Sequence, residues 1–176
     1  MNTTIVVEGR TDEVIARRLI EHLRAKAKIV VGNGASAAVS RARSILATDA
    51  TERVALVIDA DSSDESAIEE RERSLSAVLA MVAPPARWHL GLLTPNLELV
   101  LLKSPVVARA LLKRDLTEKD ITSAEAARKA LLLNRPESLR RVRELSSSAL
   151  DDLLKVSREF NALAEFVKAR PLSSAA

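Results

Sequence analysis

The chain has 176 residues, 47% apolar and 29% charged, enough for one domain with a buried core and a helical appendage. It contains no cysteine and no tyrosine, which excludes disulfides, thiolate zinc sites, thiol nucleophiles and tyrosyl nucleophiles within this chain. The net charge of +3 is unevenly divided. Residues 1–100 carry 12 basic and 14 acidic side chains, and residues 101–176 carry 15 and 10, an imbalance that suits metal chemistry beside a polyanion and that solvated helix faces produce equally well.

Aromatic residues make up 2%, so the core must come from Leu, Val, Ile and Ala. No apolar run approaches the roughly 18 residues that cross a bilayer, and the first residues lack a basic segment followed by an apolar one. A cytoplasmic location without membrane contact is expected.

The first element is a strand over Thr3–Val7, a β-branched run of the kind buried on both faces. It ends on Glu8, and after GRTD the residues Val14, Ile15, Leu19, Ile20 and Leu23 recur at helical spacing, with Thr11 as a candidate N-cap and Asp12 and Glu13 in the first turn. A second strand, Lys28–Val31, ends in GNGAS before another helical pattern. RVALVI, residues 53–58, is the most apolar strand and stops at Asp59. Residues 64–82 read as a helix that Pro84 and Pro85 end, and residues 87–93 as a fourth strand. Strands alternating with helices in this way predict an α/β Rossmann-like domain, a four-stranded, mainly parallel sheet flanked by helices, over residues 1–94.

Beyond Thr94 only helices are expected: 97–102, 106–112, 123–133, 137–145 and 150–168, with caps near Thr122, Asn134 and Ser148. Residues 95–176 form a helical C-terminal extension packed on the sheet domain, and the terminal PLSSAA is expected to fray.

In a parallel sheet the ligand crevice lies beyond the carboxyl ends of the strands. Glu8 ends the first strand, and Asp59 and Asp61, in VIDADSSD, end the third; Asp12 can lean back toward the same point. Packed carboxylates repel one another and their pKa values rise unless a cation neutralises them. All-oxygen ligands without cysteine select a hard ion, Mg²⁺ or Mn²⁺, of the kind used in phosphoryl transfer and phosphodiester hydrolysis. Singly, each group has a plainer role as a cap or a turn; the joint placement behind two apolar strands is what points to a site.

VVEGRTD followed by VIDAD resembles the toprim domain, marked by a Glu in an EGxxD-like turn after the first strand and a DxD after the third. The resemblance covers residues 3–93. It implies that Glu8 is a general acid/base or metal ligand, that Asp59 and Asp61 hold Mg²⁺ or Mn²⁺, and that Asp12 contributes to a second ion. Family members often carry Gly soon after the DxD, where this chain has Ser62 and Ser63; Ser63 could add a hydroxyl ligand or cap the following helix. The missing tyrosine excludes the topoisomerase branch, and the missing cysteines disfavour the recombination mediators and zinc-ribbon primases. No GxxxxGK[ST] occurs. The chain is then most similar to the overcoming-lysogenization-defect (OLD) and ribosomal-RNA maturation nucleases: a Mg²⁺-dependent nuclease acting on DNA or RNA, with one or two ions and, by expectation, a separately encoded protein partner or a second copy of itself.

Weaker signals accompany this. Gly32, Gly34 and Ser36 of GNGAS could cradle a backbone phosphate at a helix start. Glu98, inside the apolar TPNLELVLL, either faces the crevice as an additional metal or outer-shell group or points to solvent from a short helix. Arg135, Arg140, Arg141 and Arg143 form the densest basic cluster and could follow a nucleic-acid strand. His22 and His89 lie away from every motif and read as packing or surface residues. Two other classes stay open. VALVIDADSS also fits the nucleophile strand of haloacid-dehalogenase-type phosphatases, with Asp59 phosphorylated, although the only later aspartate pair, Asp151 and Asp152, falls in a helix. Alternatively the domain is a non-catalytic scaffold that binds nucleic acid, or a partner protein docked on the apolar faces of residues 131–133 and 150–154.

Overall fold

The structure, a computed structural model, describes residues 2–169; the terminal PLSSAA segment lies outside them. Strands β1 (Thr3–Val7), β2 (Lys28–Val31), β3 (Arg53–Asp59) and β4 (Trp88–Leu93) form an all-parallel sheet in the order β2-β1-β3-β4. Helices α1 (Arg10–His22), α2 (Ala35–Thr48) and α3 (Glu65–Ala80) make the crossovers. All five residues of β1 are buried, because the strand is central and covered on both sides.

Alternation along the strands separates the two faces. Ile5 and Val7 of β1, with Ala55 and Val57 of β3, pack against Ile15, Leu19 and Ile20 of α1. Val6, with Val54, Leu56 and Ile58, packs against Ala38, Ala42 and Leu46 of α2 and Leu79 of α3. The connections leaving β1 and β3 therefore lie on opposite faces of the sheet. Neighbouring strands whose connections diverge make a topological switch point, and the crevice beyond their carboxyl ends is where such folds bind ligands. Glu8 and Asp59 stand at that point.

The rest of the chain forms α4 (Leu97–Leu102), α5 (Pro105–Leu112), α6 (Ala124–Leu131), α7 (Pro136–Arg143), α8 (Ser147–Val156) and α9 (Arg158–Lys168). The expected helix over 150–168 is two. Ser157 has extended backbone (φ −104°, ψ 112°), and its Oγ accepts the Phe160 N–H at 3.2 Å, starting α9 afresh. The other caps also move: α6 is capped by Ser123, α7 follows Arg135 and α8 is capped by Ser146. Likewise the N-cap of α1 is Gly9 rather than Thr11, because Asp12 Oδ2 accepts the Gly9 N–H at 3.0 Å and so closes the first turn from within.

These helices share one apolar cluster with a face of the sheet, in which Leu101, Val107, Leu131, Val142, Leu150 and Leu163 join Ile5, Val7 and Leu19. The apolar faces of 131–133 and 150–154, expected to dock a partner, are thereby turned inward: Leu131, Leu133, Leu150 and Leu153 are no more than 4% exposed. Arg53, at the foot of β3, ties α9 down. Its guanidinium lies 4.0 Å from the centre of the Phe166 ring and donates to the carbonyls of Phe166 and Ala169. No helix among the described residues is long and apolar enough to cross a membrane.

Candidate functional site

β1 delivers the chain to Glu8, and the loop after β2 holds it there. The Gly32 N–H donates to the Val7 carbonyl at 2.8 Å, and the N–H groups of Asn33 and Gly34 donate to the Glu8 carbonyl at 2.9 and 3.0 Å. Glycine is needed twice. A Cβ on Gly32 would lie 2.6 Å from the backbone of Ala38, and Gly34 has φ +114°. The N–H groups of Gly32 and Gly34, expected to be free for a phosphate, are thus spent on fixing the backbone of Glu8, while Ser36 stands in the first turn of α2.

Asp59, the last residue of β3, is held from two sides. Its backbone N–H donates to Glu8 Oε2 at 3.4 Å, and its Oδ1 accepts the Leu97 N–H at 2.9 Å. Burial raises its pKa to about 7, with the charges of Asp12, Glu98 and Glu8 adding to the effect. Asp12 lies close by in the first turn of α1. Burial raises its pKa to about 6, and Glu8 and Glu98 push the same way.

Asp61 sits in the left-handed region, φ +55°, with its N–H donated to the Pro95 carbonyl at 2.8 Å. The conformation that glycine would supply in this loop therefore falls on the second aspartate itself, and Asp tolerates it better than most residues. Ser63 does not cap α3: Asp64 does, accepting the Ala67 N–H at 2.8 Å. Glu98, in the first turn of α4, faces the crevice with its side chain 15% exposed, and Asn96 Nδ2 donates to its Oε2 at 2.8 Å.

One participant carried no signal in the sequence. Arg128, on α6, places Nη2 at 3.6 Å from both Asp59 Oδ2 and Asp61 Oδ1, and Nε at 3.8 Å from Glu98 Oε2. Arg71 of α3 adds a second cation at 3.8 Å from Asp61. The nearest of Arg128's carboxylate partners lies 30 residues away in the chain, so local patterning could not reveal the contact. The phrase TPN before Glu98 does hint at Asn96, since Asn is a common cap and its Oδ1 accepts the Leu99 N–H at 3.1 Å.

The rim therefore gathers Glu8, Asp12, Asp59, Asp61 and Glu98 around the switch point. In donor chemistry the set fits a hard divalent ion, since its groups are carboxylates and two of them have pKa values raised by burial and then by crowding. In spacing it stands open. Among the described residues no three acidic or imidazole side chains converge closely enough to hold a metal ion.

The basic cluster is not part of this rim. Arg141 donates to the Leu111 carbonyl at 2.8 Å and pairs with Glu137, while Arg140 lies 3.9 Å from Glu144. Arg143 lines a cavity of about 230 Å³ with Arg17 and Arg18 of α1, and Arg135 precedes α7. A larger cavity of about 810 Å³ opens at the opposite, amino end of the sheet, beside Thr3, Lys28 and Glu52. His22 bonds Asp151 at 2.9 Å, and His89 stacks on Phe166 with ring centres 5.5 Å apart. Asp152 accepts from Ser104 Oγ at 2.6 Å, so both members of the later aspartate pair are engaged on α8.

Comparison of the chain with protein-family models, with curated proteins and with solved structures returned no match.

Proposed function

We propose that the chain is a toprim-type, Mg²⁺- or Mn²⁺-dependent nuclease that hydrolyses phosphodiester bonds in DNA or RNA. The observation that carries this reading is the contact between Glu8 and Asp59 across neighbouring central strands, at the topological switch point, with Asp61 and Glu98 on the same rim. Asp59, Asp61 and Glu8 would hold the ion, with Asp12 and Glu98 placed to assist. A bound divalent ion would supply charge neutralisation at the scissile phosphate and a water of lowered pKa.

The chain's own groups do the rest. Glu8, its backbone locked by the loop after β2, is fixed well enough to take or return a proton at one place. Asp61, about half exposed, stands at the mouth where a polyanion would enter. Arg71 and Arg128 supply the positive charge that lets a phosphate approach a carboxylate rim.

The test is cleavage of linear, circular and single-stranded DNA and of structured RNA, with Mg²⁺ and with Mn²⁺. Glu8→Gln and Asp59→Asn should abolish the activity while leaving the fold intact. No cleavage across that panel would defeat the proposal. A second reading, a toprim scaffold that binds nucleic acid without cutting it, is favoured by the open spacing of the carboxylates. It predicts retained nucleic-acid binding with no turnover under any metal.

A further inference from the structure

The amino end of the sheet buries a carboxylate that the rim chemistry does not use. Glu52, just before β3, is 8% exposed, and Thr4 of β1, 2% exposed, donates its hydroxyl to Glu52 Oε1 at 2.5 Å. Among the described residues that hydroxyl is the carboxylate's one hydrogen-bond partner. Burying a carboxylate is unfavourable unless it meets a cation or several donors. The nearby arginines are engaged elsewhere. Arg53 points to α9, and Arg87 donates to the backbone carbonyls of Leu46, Asp49 and Glu52. Arg87 thereby fixes the backbone beneath the carboxylate and leaves the carboxylate itself without an ion pair.

Strand register puts a cation across from it. Lys28 opens β2 in register with Thr4, and Val54 of β3 pairs with Thr4 from the other side. Side chains two apart on a strand share a face, so Lys28, Thr4 and Glu52 all turn toward α2. With Lys26 and Ile45 they line the cavity of about 810 Å³, a size common for small-molecule sites. Among the described residues Glu52, Lys26 and Lys28 take part in no ion pair; Lys103 is the lysine that does. Because β1 lies between β2 and β3, the lysine and the glutamate start from backbones about 10 Å apart. Opposite charges so separated by a cavity complement a molecule that carries both signs. Asp49 stands on the glutamate side, its Oδ1 taken by the Thr51 N–H and hydroxyl at 2.8 and 2.7 Å, and adds to the negative end.

We propose that this cavity binds a small zwitterion of amino-acid type, with its ammonium on Glu52 and its anionic group on Lys28 and Lys26. Burial assigns the two ends. Glu52 is held at the floor by Thr4 and by its clamped backbone, so it offers Oε2 to an ammonium in one fixed place. The lysines, exposed at Lys28 and half-buried at Lys26, are free to close on an anion at the mouth. A ligand of this kind supplies the cation that the chain itself withholds from a buried carboxylate. The site lies at the other end of the sheet from Glu8 and Asp59 and stands whether or not the chain is a nuclease.

The experiment follows the backbone amide NMR signals of the isotope-labelled full chain while glycine, β-alanine or γ-aminobutyrate is added to about 20 mM, a level that saturates a site with a Kd of about 1 mM. Methylammonium and acetate, which carry one charge each, serve as controls. At least one zwitterion should shift the signals of Thr4, Lys28 and Glu52 saturably, and bind at least about 10-fold more tightly than either control. Glu52→Gln keeps an acceptor for Thr4 and should weaken that binding at least about 10-fold. Lys28→Gln, at an exposed position, should weaken it about 3-fold or more, and Glu144→Gln, away from the cavity, should leave it unchanged. No saturable shift around the cavity with any of the zwitterions overturns the inference. So does equally tight binding of acetate or methylammonium, or an affinity that neither cavity variant alters. Should Glu52→Gln fail to fold, the Lys28→Gln affinity decides the matter alone.

Discussion

The backbone N–H of Leu97 donates to Asp59 Oδ1 at 2.9 Å, so the first residue of α4 is fastened to the last residue of β3. An asparagine at position 59 keeps that acceptor and sheds the charge. Asp59→Asn should therefore fold, lose divalent-cation binding and cleavage, and gain stability at pH 8 in the absence of metal. The sign follows from the direction of the shift. A carboxyl raised to about 7 by burial and by its acidic neighbours is disfavoured as an anion in the folded state, so it lowers stability progressively from about pH 4 to above pH 7. The gain should be about 1–3 kcal/mol at pH 8 and vanish near pH 4. Urea denaturation at the two pH values measures it, and a variant less stable than wild type at pH 8 would refute the assignment.

Gly32→Ala tests how Glu8 is positioned. The new methyl would sit 2.6 Å from the Ala38 backbone, which cannot yield as a flexible side chain does, so the loop or the start of α2 must shift. A loss of about 1–3 kcal/mol is expected. Because the same loop donates twice to the Glu8 carbonyl, any nuclease activity should fall further than the stability loss accounts for. Chemical denaturation and cleavage rates on one preparation separate the two.

Acid sensitivity should centre on Asp120 in the extension. Arg114 grips it through two hydrogen bonds, and the Thr117 N–H and hydroxyl add two more at 2.9 and 2.8 Å. The Arg114 bonds first, then those of Thr117, hold its carboxyl well below the usual range. A depressed folded-state pKa stabilises fully above the unfolded value of about 4 and is lost as the pH falls below it. Asp120→Asn should flatten the stability profile between about pH 4 and pH 2, read by urea midpoints; an unchanged slope would contradict it.

Ser157→Ala removes the cap that starts α9 and leaves the Phe160 N–H without its partner in a buried setting. A cost of about 1–2 kcal/mol is expected, measured by thermal or chemical unfolding. A variant as stable as the wild type would mean that the break between α8 and α9 is imposed by packing alone.

The strands and crossovers were legible because their signal is local. Apolar runs such as TTIVV and RVALVI are short, continuous and closed by a carboxylate or a glycine, and each became the expected strand. The placement of Glu8 beside Asp59 followed from topology alone. Features set by single side chains or distant partners were not legible. Ser157 splits a helix whose apolar periodicity continues across it. Asp12 caps its own helix from within, which makes Gly9 rather than Thr11 the N-cap of α1. Arg128 reaches Asp59 from α6, a contact no spacing rule encodes. The inward turn of residues 131–133 was hidden for the same reason: an apolar stripe looks identical whether it meets its own sheet or a partner.

The continuity of the larger apolar cluster, from β1 through α1 to α9, has a bearing on how this chain can be divided. A fragment ending near Leu93 would present the flank holding Ile5, Val7, Ala55 and Val57 to water except where α1 covers it. It would also lack the N–H that steadies Asp59. The acidic residues and the roof above them stand or melt together, so shuffling the sheet onto another helical lid would mean redrawing that seam residue by residue.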